Sequence, residues 1–197
     1  MIIVEGPDGA GKTTLVRQLT HDVGLQAATA VENRDRDLRK NPRERAYAGL
    51  AQAVGGGTVV VHDRFFWSEL IYGKVLRGES QFSVVEQFRM MNLLKGMRCP
   101  IFFCLPPYEK TVPALKENPP QLEGWDQEKA YQIWELYQSA MQVAANRIDS
   151  VWGYDYTGYF TQPDGNGRNL HTNVFLDYDQ VKKYVEDYLK ERREWTI

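Results

Sequence analysis

Residues 6–13 read Gly6-Pro7-Asp8-Gly9-Ala10-Gly11-Lys12-Thr13, and this octapeptide decides the fold. It fits the pattern G-x-x-x-x-G-K-[ST] at every fixed position. The apolar run Met1-Ile2-Ile3-Val4 before it suits a buried strand, and a helical pattern over residues 12–21 follows. Strand, glycine turn and helix in that order make a cradle for phosphate. The glycines let backbone N–H groups turn inward to meet phosphate oxygens. The first turn of the helix adds free donors and a partial positive charge. In such a cradle Lys12 reaches the β- and γ-phosphates, and the Thr13 hydroxyl reaches Mg²⁺. Gly6, Asp8, Gly9, Ala10, Gly11, Lys12, Thr13 and Thr14 are the candidate residues for binding ATP.

The rest of the chain repeats the same alternation. Residues 58–61 and 101–105 are apolar and β-branched or aromatic, as strands buried on both faces are. Residues 27–31 and 151–156 are weaker strand patterns. Helical patterns occupy residues 42–54, 65–76, 82–95, 126–148 and 179–194. The expectation is an α/β fold of the P-loop NTPase kind: one domain over residues 1–197, with a five-stranded parallel sheet and helices on both faces. Residues 116–124 contain Pro119-Pro120 and read as a loop joining two helices. Residues 157–174 mix Gly, Pro, Asn and aromatics, and read as an irregular excursion or small hairpin.

Composition narrows the function classes. With 24 Lys+Arg against 26 Asp+Glu the net charge is −2, so no basic excess advertises nucleic acid. The two cysteines, Cys99 and Cys104, fit neither a zinc template nor a disulfide framework, which points to a reducing compartment. No segment approaches the roughly 18 apolar residues of a membrane span. The start has no secretory pattern, so a cytoplasmic protein is expected. A guanine-specific N-K-x-D motif is absent, which lowers a GTPase reading and favours transfer to a small acceptor.

A second chemical segment is Val60-Val61-His62-Asp63-Arg64-Phe65-Phe66-Trp67-Ser68, followed by Tyr72-Gly73. In open α/β sheets ligands bind at the carboxyl ends of strands, where Asp63 and Arg64 fall. An aspartate there can join Thr13 in holding Mg²⁺, and an arginine can clamp an acceptor phosphate through two hydrogen bonds. Of the aromatics that follow, Phe65 and Tyr72 are candidates to line the acceptor, while most of the set belongs to a core.

Glu5-Gly6-Pro7-Asp8-Gly9-Ala10-Gly11-Lys12-Thr13-Thr14, taken with Asp63-Arg64-Phe65 through Tyr72, resembles the thymidylate kinase family, with its E-G-x-D/E-G-x-G-K-T/S-T and D-R-Y-x-x-S-x-x-A-Y segments. The resemblance covers the first ~80 residues with two motifs, and small phage-type members look closest. It implies a nucleoside monophosphate kinase-like fold and Mg²⁺-dependent transfer of the ATP γ-phosphate to a deoxynucleoside monophosphate, foremost dTMP or a related pyrimidine nucleotide. It implies catalytic work for Lys12, Asp63 and Arg64, with Arg64 on the acceptor phosphate and Asp8 on the sugar 3′-hydroxyl. It also implies a homodimer, and an arginine after the second strand on the acceptor phosphate. Arg34 or Arg36 matches that place, within a cationic run that also holds Arg39, Lys40, Arg43 and Arg45.

Three departures keep alternatives open. Glu32 follows the second strand, where a related family of deoxynucleoside kinases carries a general base. The lid expected over residues 108–125 holds Lys110 and Lys116 but no arginine, and Asp8-Gly9 leaves no cation in the phosphate loop to replace it. Lys116 and Arg77 are the cations left to substitute, and each reads equally well as solvated. The missing lid arginine also keeps open an ATP-binding sensor or assembly protein with little turnover.

Overall fold

The computed structural model describes residues 1–29, 41–55, 59–120, 125–160 and 175–194. The five expected strands form: β1 (Ile2–Glu5), β2 (Gln26–Thr29), β3 (Val60–Asp63), β4 (Ile101–Cys104) and β5 (Val151–Tyr154). All pair in parallel, in the order β2-β3-β1-β4-β5. A sixth strand, β6 (Phe175–Leu176), adds to the β5 edge, also in parallel. Two residues are too few for any hydropathy pattern to register, so the sequence did not announce it.

Side chains on β1 and β4 alternate between two core layers, as the two-residue period of a strand demands. Ile3, Ile101 and Phe103 face one layer, where they meet Phe66, Met90, Leu94, Ile133 and Tyr137. Ile2, Val4, Phe102 and Cys104 face the other, against Leu15, Leu19, Val181 and Val185. The first layer is built from α2 (Pro42–Gly55), α3 (Phe66–Tyr72), α4 (Val84–Gly96) and α6 (Gln127–Ala145). The second comes from α1 (Lys12–Val23) and α7 (Tyr178–Glu194). Both faces of the sheet are thus covered, which accounts for the continuous apolar strands.

Two helices differ from the sequence pattern. The 65–76 pattern is not one α-helix: α3 passes at Gly73 into a π-helical turn, Gly73–Arg77. A Cβ at Gly73 would lie 2.7 Å from both the Glu79 carbonyl and the Arg77 guanidinium, so the widened turn needs a residue without a side chain. Before the expected loop at 116–124 lies α5 (Tyr108–Glu117), with Pro113 inside it. This helix contributes to neither sheet layer and packs instead on the phosphate loop. Of the excursion, residues 157–160 form turns and 161–174 lie outside the described residues. Among the described residues no helix is long and apolar enough to cross a membrane.

Candidate active site

The sheet order reverses around β1, which is flanked by β3 and β4. The carboxyl end of β1 is therefore a topological switch point, where this class of sheet opens a crevice. The phosphate loop leaves β1 there. Gly6 follows the strand, Ala10 is fully buried, and Gly11 caps α1 with φ 80°, a left-handed conformation. A side chain at Gly11 would also collide with the Tyr156 ring, 2.9 Å away. Gly9 is similarly constrained by α5, since its Cβ would lie 2.9 Å from the Thr111 carbonyl.

Lys12 is only 6% exposed. Its ammonium donates to the Pro7 carbonyl within the loop and lies 4.0 Å from Asp8. Burial, then the Arg64 charge, pull its pKa down to about 8, against the opposing pull of Asp8 and Asp63. A cation that, among the described residues, holds a loop carbonyl and one flanking carboxylate is well placed to exchange them for phosphate oxygens.

Thr13 and Asp63 fit a magnesium ion. The Thr13 hydroxyl donates to Asp63 Oδ2 at 2.9 Å, so the two side chains converge from α1 and β3. Asp63 Oδ1 is buried and has no hydrogen-bond partner among the described residues. A buried carboxylate oxygen without a donor is costly unless a cation or water completes it, and hard oxygen donors suit Mg²⁺.

The other side of the loop carries a different cluster. Asp8 forms a salt bridge to Arg64 and accepts from the Tyr72 hydroxyl at 2.9 Å, while the Tyr72 oxygen accepts from the Asp8 N–H at 3.0 Å. Arg64 also lies over the Tyr72 ring, 5.0 Å from its centre. Burial works against ionised Asp8, but Arg64 and Lys12 outweigh it and hold the carboxyl below its usual value. Burial likewise opposes the Arg64 charge, yet Tyr72, Asp8 and their neighbours keep its pKa above the ordinary arginine value. Arg64 has φ 75°, which a residue with a Cβ adopts at a cost of about 1–2 kcal/mol.

Glu5, fully buried at the end of β1, fixes that strained turn. Its carboxylate accepts from the Phe65 N–H at 2.6 Å, the Ser68 N–H at 3.2 Å, the Ser68 hydroxyl at 2.7 Å and the Tyr137 hydroxyl at 3.2 Å. The start of α3 is thus tied to β1 through one side chain, and Arg64 projects from the tied segment.

A cleft of about 760 Å³ joins the two clusters, lined by Asp8, Gly9, Gly11, Lys12, Thr13, Thr14, Asp63 and Arg64, with Ala114 and Tyr156 opposite. No family model and no curated protein matches the chain. Solved structures do. The YorR protein of Bacillus subtilis, in complex with phosphorylated GDP, matches with a TM-score of 0.62 and 18% identity, over 98% of this chain and 97% of that one. Deoxyadenosine kinase from M. mycoides, with products dCMP and a flexible dCDP, matches with a TM-score of 0.52 and 12% identity, over 96% and 98%. The chain has the P-loop kinase fold.

Within that fold, the residues singled out from sequence divide into three groups. Asp8, Lys12, Thr13, Asp63, Arg64 and Tyr72 come together in or beside the cleft. Phe65 does not line it: the ring is 3% exposed and packs edge-on against His62 and Phe66 in the core, while its backbone N–H serves Glu5. Arg34, Arg36 and Glu32 lie outside the described residues. Of the substitute lid cations, Arg77 is committed to Glu69. Lys110 lies one turn before the cleft-lining Ala114, on the same side of α5, whereas Lys116 falls on the opposite side.

Sequence reasoning missed the bracing of the site. Ser68 and Tyr137 meet Glu5 from 63 and 132 residues away, a relationship with no local signature. Tyr156, whose hydroxyl donates to the Lys110 carbonyl at 3.2 Å, links the segment after β5 to α5.

Proposed function

We propose that the protein is a nucleotide kinase of the thymidylate kinase type, transferring the γ-phosphoryl group of ATP to a deoxynucleoside monophosphate, foremost a pyrimidine nucleotide such as dTMP. One observation carries the reading: Asp8 stands between Lys12 and Arg64, so a single carboxylate faces both a donor-phosphate cation and an acceptor-side cation in one cleft. A site that only bound a triphosphate has no use for the second cluster.

In this reading the backbone N–H groups of residues 9–13 and the Lys12 ammonium hold the donor phosphates. Thr13 and Asp63 would hold Mg²⁺, which would supply neutralising positive charge to the phosphates. Arg64 orients the acceptor phosphate, and Asp8 with Tyr72 meets its sugar. A monophosphate oxygen is already ionised at neutral pH, so no general base is required. The chain's contribution is alignment and electrostatic stabilisation.

The test is product analysis by chromatography with ATP, Mg²⁺ and either deoxynucleoside monophosphates or deoxynucleosides. The wild type yields a diphosphate from a monophosphate, and Lys12→Ala loses at least a hundredfold in rate. Unchanged kinetics in Lys12→Ala would overturn the proposal. Products from nucleosides alone, lost in Glu32→Gln, would move the assignment to a deoxynucleoside kinase.

A further inference from the structure

The place of α5 is set by a few contacts and not by the core. The helix has 10 residues, fewer than the ~12–15 an isolated helix needs. Pro113 lies inside it and has no N–H to give the Glu109 carbonyl. Neither sheet layer includes it. Its first residue, Tyr108, is anchored on α6: the hydroxyl donates to the Gln127 carbonyl at 3.2 Å, and the ring packs edge-on against Tyr131 and Trp134. Further along, Thr111 and Leu115 are buried against the phosphate loop. A Cβ at Gly9 would lie 2.9 Å from the Thr111 carbonyl and 3.3 Å from the Leu115 side chain. An element held this lightly is drawn from the low-stability end of a fold.

Tyr156 reaches α5 from a firmer base. The Tyr154 carbonyl accepts from the Leu105 N–H at 2.9 Å. Asp155 is 1% exposed and accepts from the Thr157 N–H at 2.9 Å, the Thr157 hydroxyl at 2.7 Å and the Phe160 N–H at 3.1 Å. Tyr156 stands between these fixed points. Its ring lies across Gly11, and its hydroxyl donates to the Lys110 carbonyl. Among the described residues this is the one hydrogen bond that reaches the α5 backbone from another element. The contacts close a circuit: Gly9 on Thr111, Lys110 on Tyr156, and Tyr156 on Gly11, two residues from Gly9 in the same loop. The Tyr156 ring is 47% exposed and belongs to neither core layer, so core packing does not account for its position.

The geometry points to Tyr156 as a positioning residue that ties α5 to the phosphate loop, so that phosphate in the loop and a seated α5 favour one another. Tyr156 acts through α5 and not on the reacting atoms. This rests on the kinase reading above and deepens it. A seated α5 covers Gly9 and holds the side that carries Lys110 and Ala114 toward the cleft. The coupling is reciprocal, as any coupling between two binding equilibria must be. Phosphate in the loop steadies α5, and α5 in place raises the affinity of the loop for phosphate.

The experiment is hydrogen exchange of the α5 amides, with and without ADP and Mg²⁺, alongside calorimetric titration of ADP. The proteins are the full-length wild type, Tyr156→Phe, Tyr156→Ala and the control Tyr159→Phe, whose ring is exposed and outside the cleft lining. ADP slows exchange in α5 of the wild type. In Tyr156→Phe, which keeps the ring and loses the hydroxyl, that slowing shrinks and ADP binds more weakly, each by about three- to tenfold, the range of one neutral hydrogen bond. Tyr156→Ala loses at least as much, and Tyr159→Phe matches the wild type. The urea midpoint of Tyr156→Phe stays at the wild-type value, and exchange outside α5 and the phosphate loop is unchanged. ADP-dependent slowing and ADP affinity equal to wild type in Tyr156→Phe overturn the inference. Faster exchange throughout the chain with a lowered midpoint also overturns it, because that marks a merely structural tyrosine. A wild type that binds no ADP overturns the inference together with the phosphate-loop reading. No turnover is needed, so a failed kinase reading leaves the result standing. If the wild type does turn over, kcat falls in Tyr156→Phe while the Michaelis constant for the monophosphate stays within about twofold.

Discussion

Arg64 and Asp8, 56 residues apart in the chain, are joined by a salt bridge that ties the end of β3 to the phosphate loop. Arg64 makes this bridge from a backbone at φ 75°. Strain of this kind is retained where the surrounding structure over-determines it, here through Glu5 and Tyr72. Arg64→Gly removes the steric cost and Arg64→Ala does not. Arg64→Gly is therefore expected to be more stable than Arg64→Ala by about 1 kcal/mol in urea unfolding. Both variants lose acceptor affinity by about tenfold or more, because both lose the guanidinium.

Lys12 gives a pH signature. Its pKa in the folded chain is about 8 against an ordinary 10.5. Between those values the unfolded chain binds more protons than the native one, so the penalty of burying this charge is complete below pH 8 and is relieved as pH rises. Lys12→Met is accordingly expected to raise the melting temperature at neutral pH in the absence of nucleotide, by about 2–4 °C, while abolishing ATP binding. The wild-type affinity for ATP, which needs the ammonium, is expected to fall as pH rises through 8. Calorimetric titration from pH 7 to 9.5 checks the second statement, and a thermal scan checks the first.

Glu5 is the brace whose loss propagates furthest. Glu5→Gln keeps the shape but places an NH₂ among donors from Phe65, Ser68 and Tyr137. The expected cost is about 2–4 kcal/mol of unfolding free energy. In the protein that remains folded, the Michaelis constant for the acceptor rises more than that for ATP, because the braced segment carries Arg64. Urea titration and steady-state kinetics read the two effects separately.

The two lysines of α5 differ in position relative to the cleft. Lys110 makes no ion pair among the described residues and shares a side of the helix with the cleft-lining Ala114. Lys110→Ala is expected to lower turnover by about tenfold or more, as removal of a charge near a transferring phosphoryl group does. Lys116→Ala, on the far side, leaves turnover within twofold. Equal effects of the two substitutions would assign neither to the site.

The part of this molecule that could be read in advance is the part written locally. The octapeptide 6–13, the buried strands on either side of Asp63 and Arg64, and the order of helices follow from short patterns. Glu5 stood in the quoted motif without a role, because its four donors come from β3–α3 and α6 and no spacing rule links them. Phe65 looked like a base-stacking ring because it follows Arg64. The ring lies in the core instead, against His62 and Phe66. The π turn at Gly73 and the two-residue β6 leave no periodicity to find.

The most direct test of the central claim is a coupled ADP-release assay with ATP, with and without Mg²⁺, across the four deoxynucleoside monophosphates and their nucleosides. The account predicts Mg²⁺-dependent ADP release that rises at least a hundredfold above the acceptor-free rate with one or more monophosphates, pyrimidine nucleotides foremost. ADP release that no acceptor in the panel raises above the acceptor-free rate would contradict it, and would leave the cleft as a site that binds nucleotide without transferring phosphate.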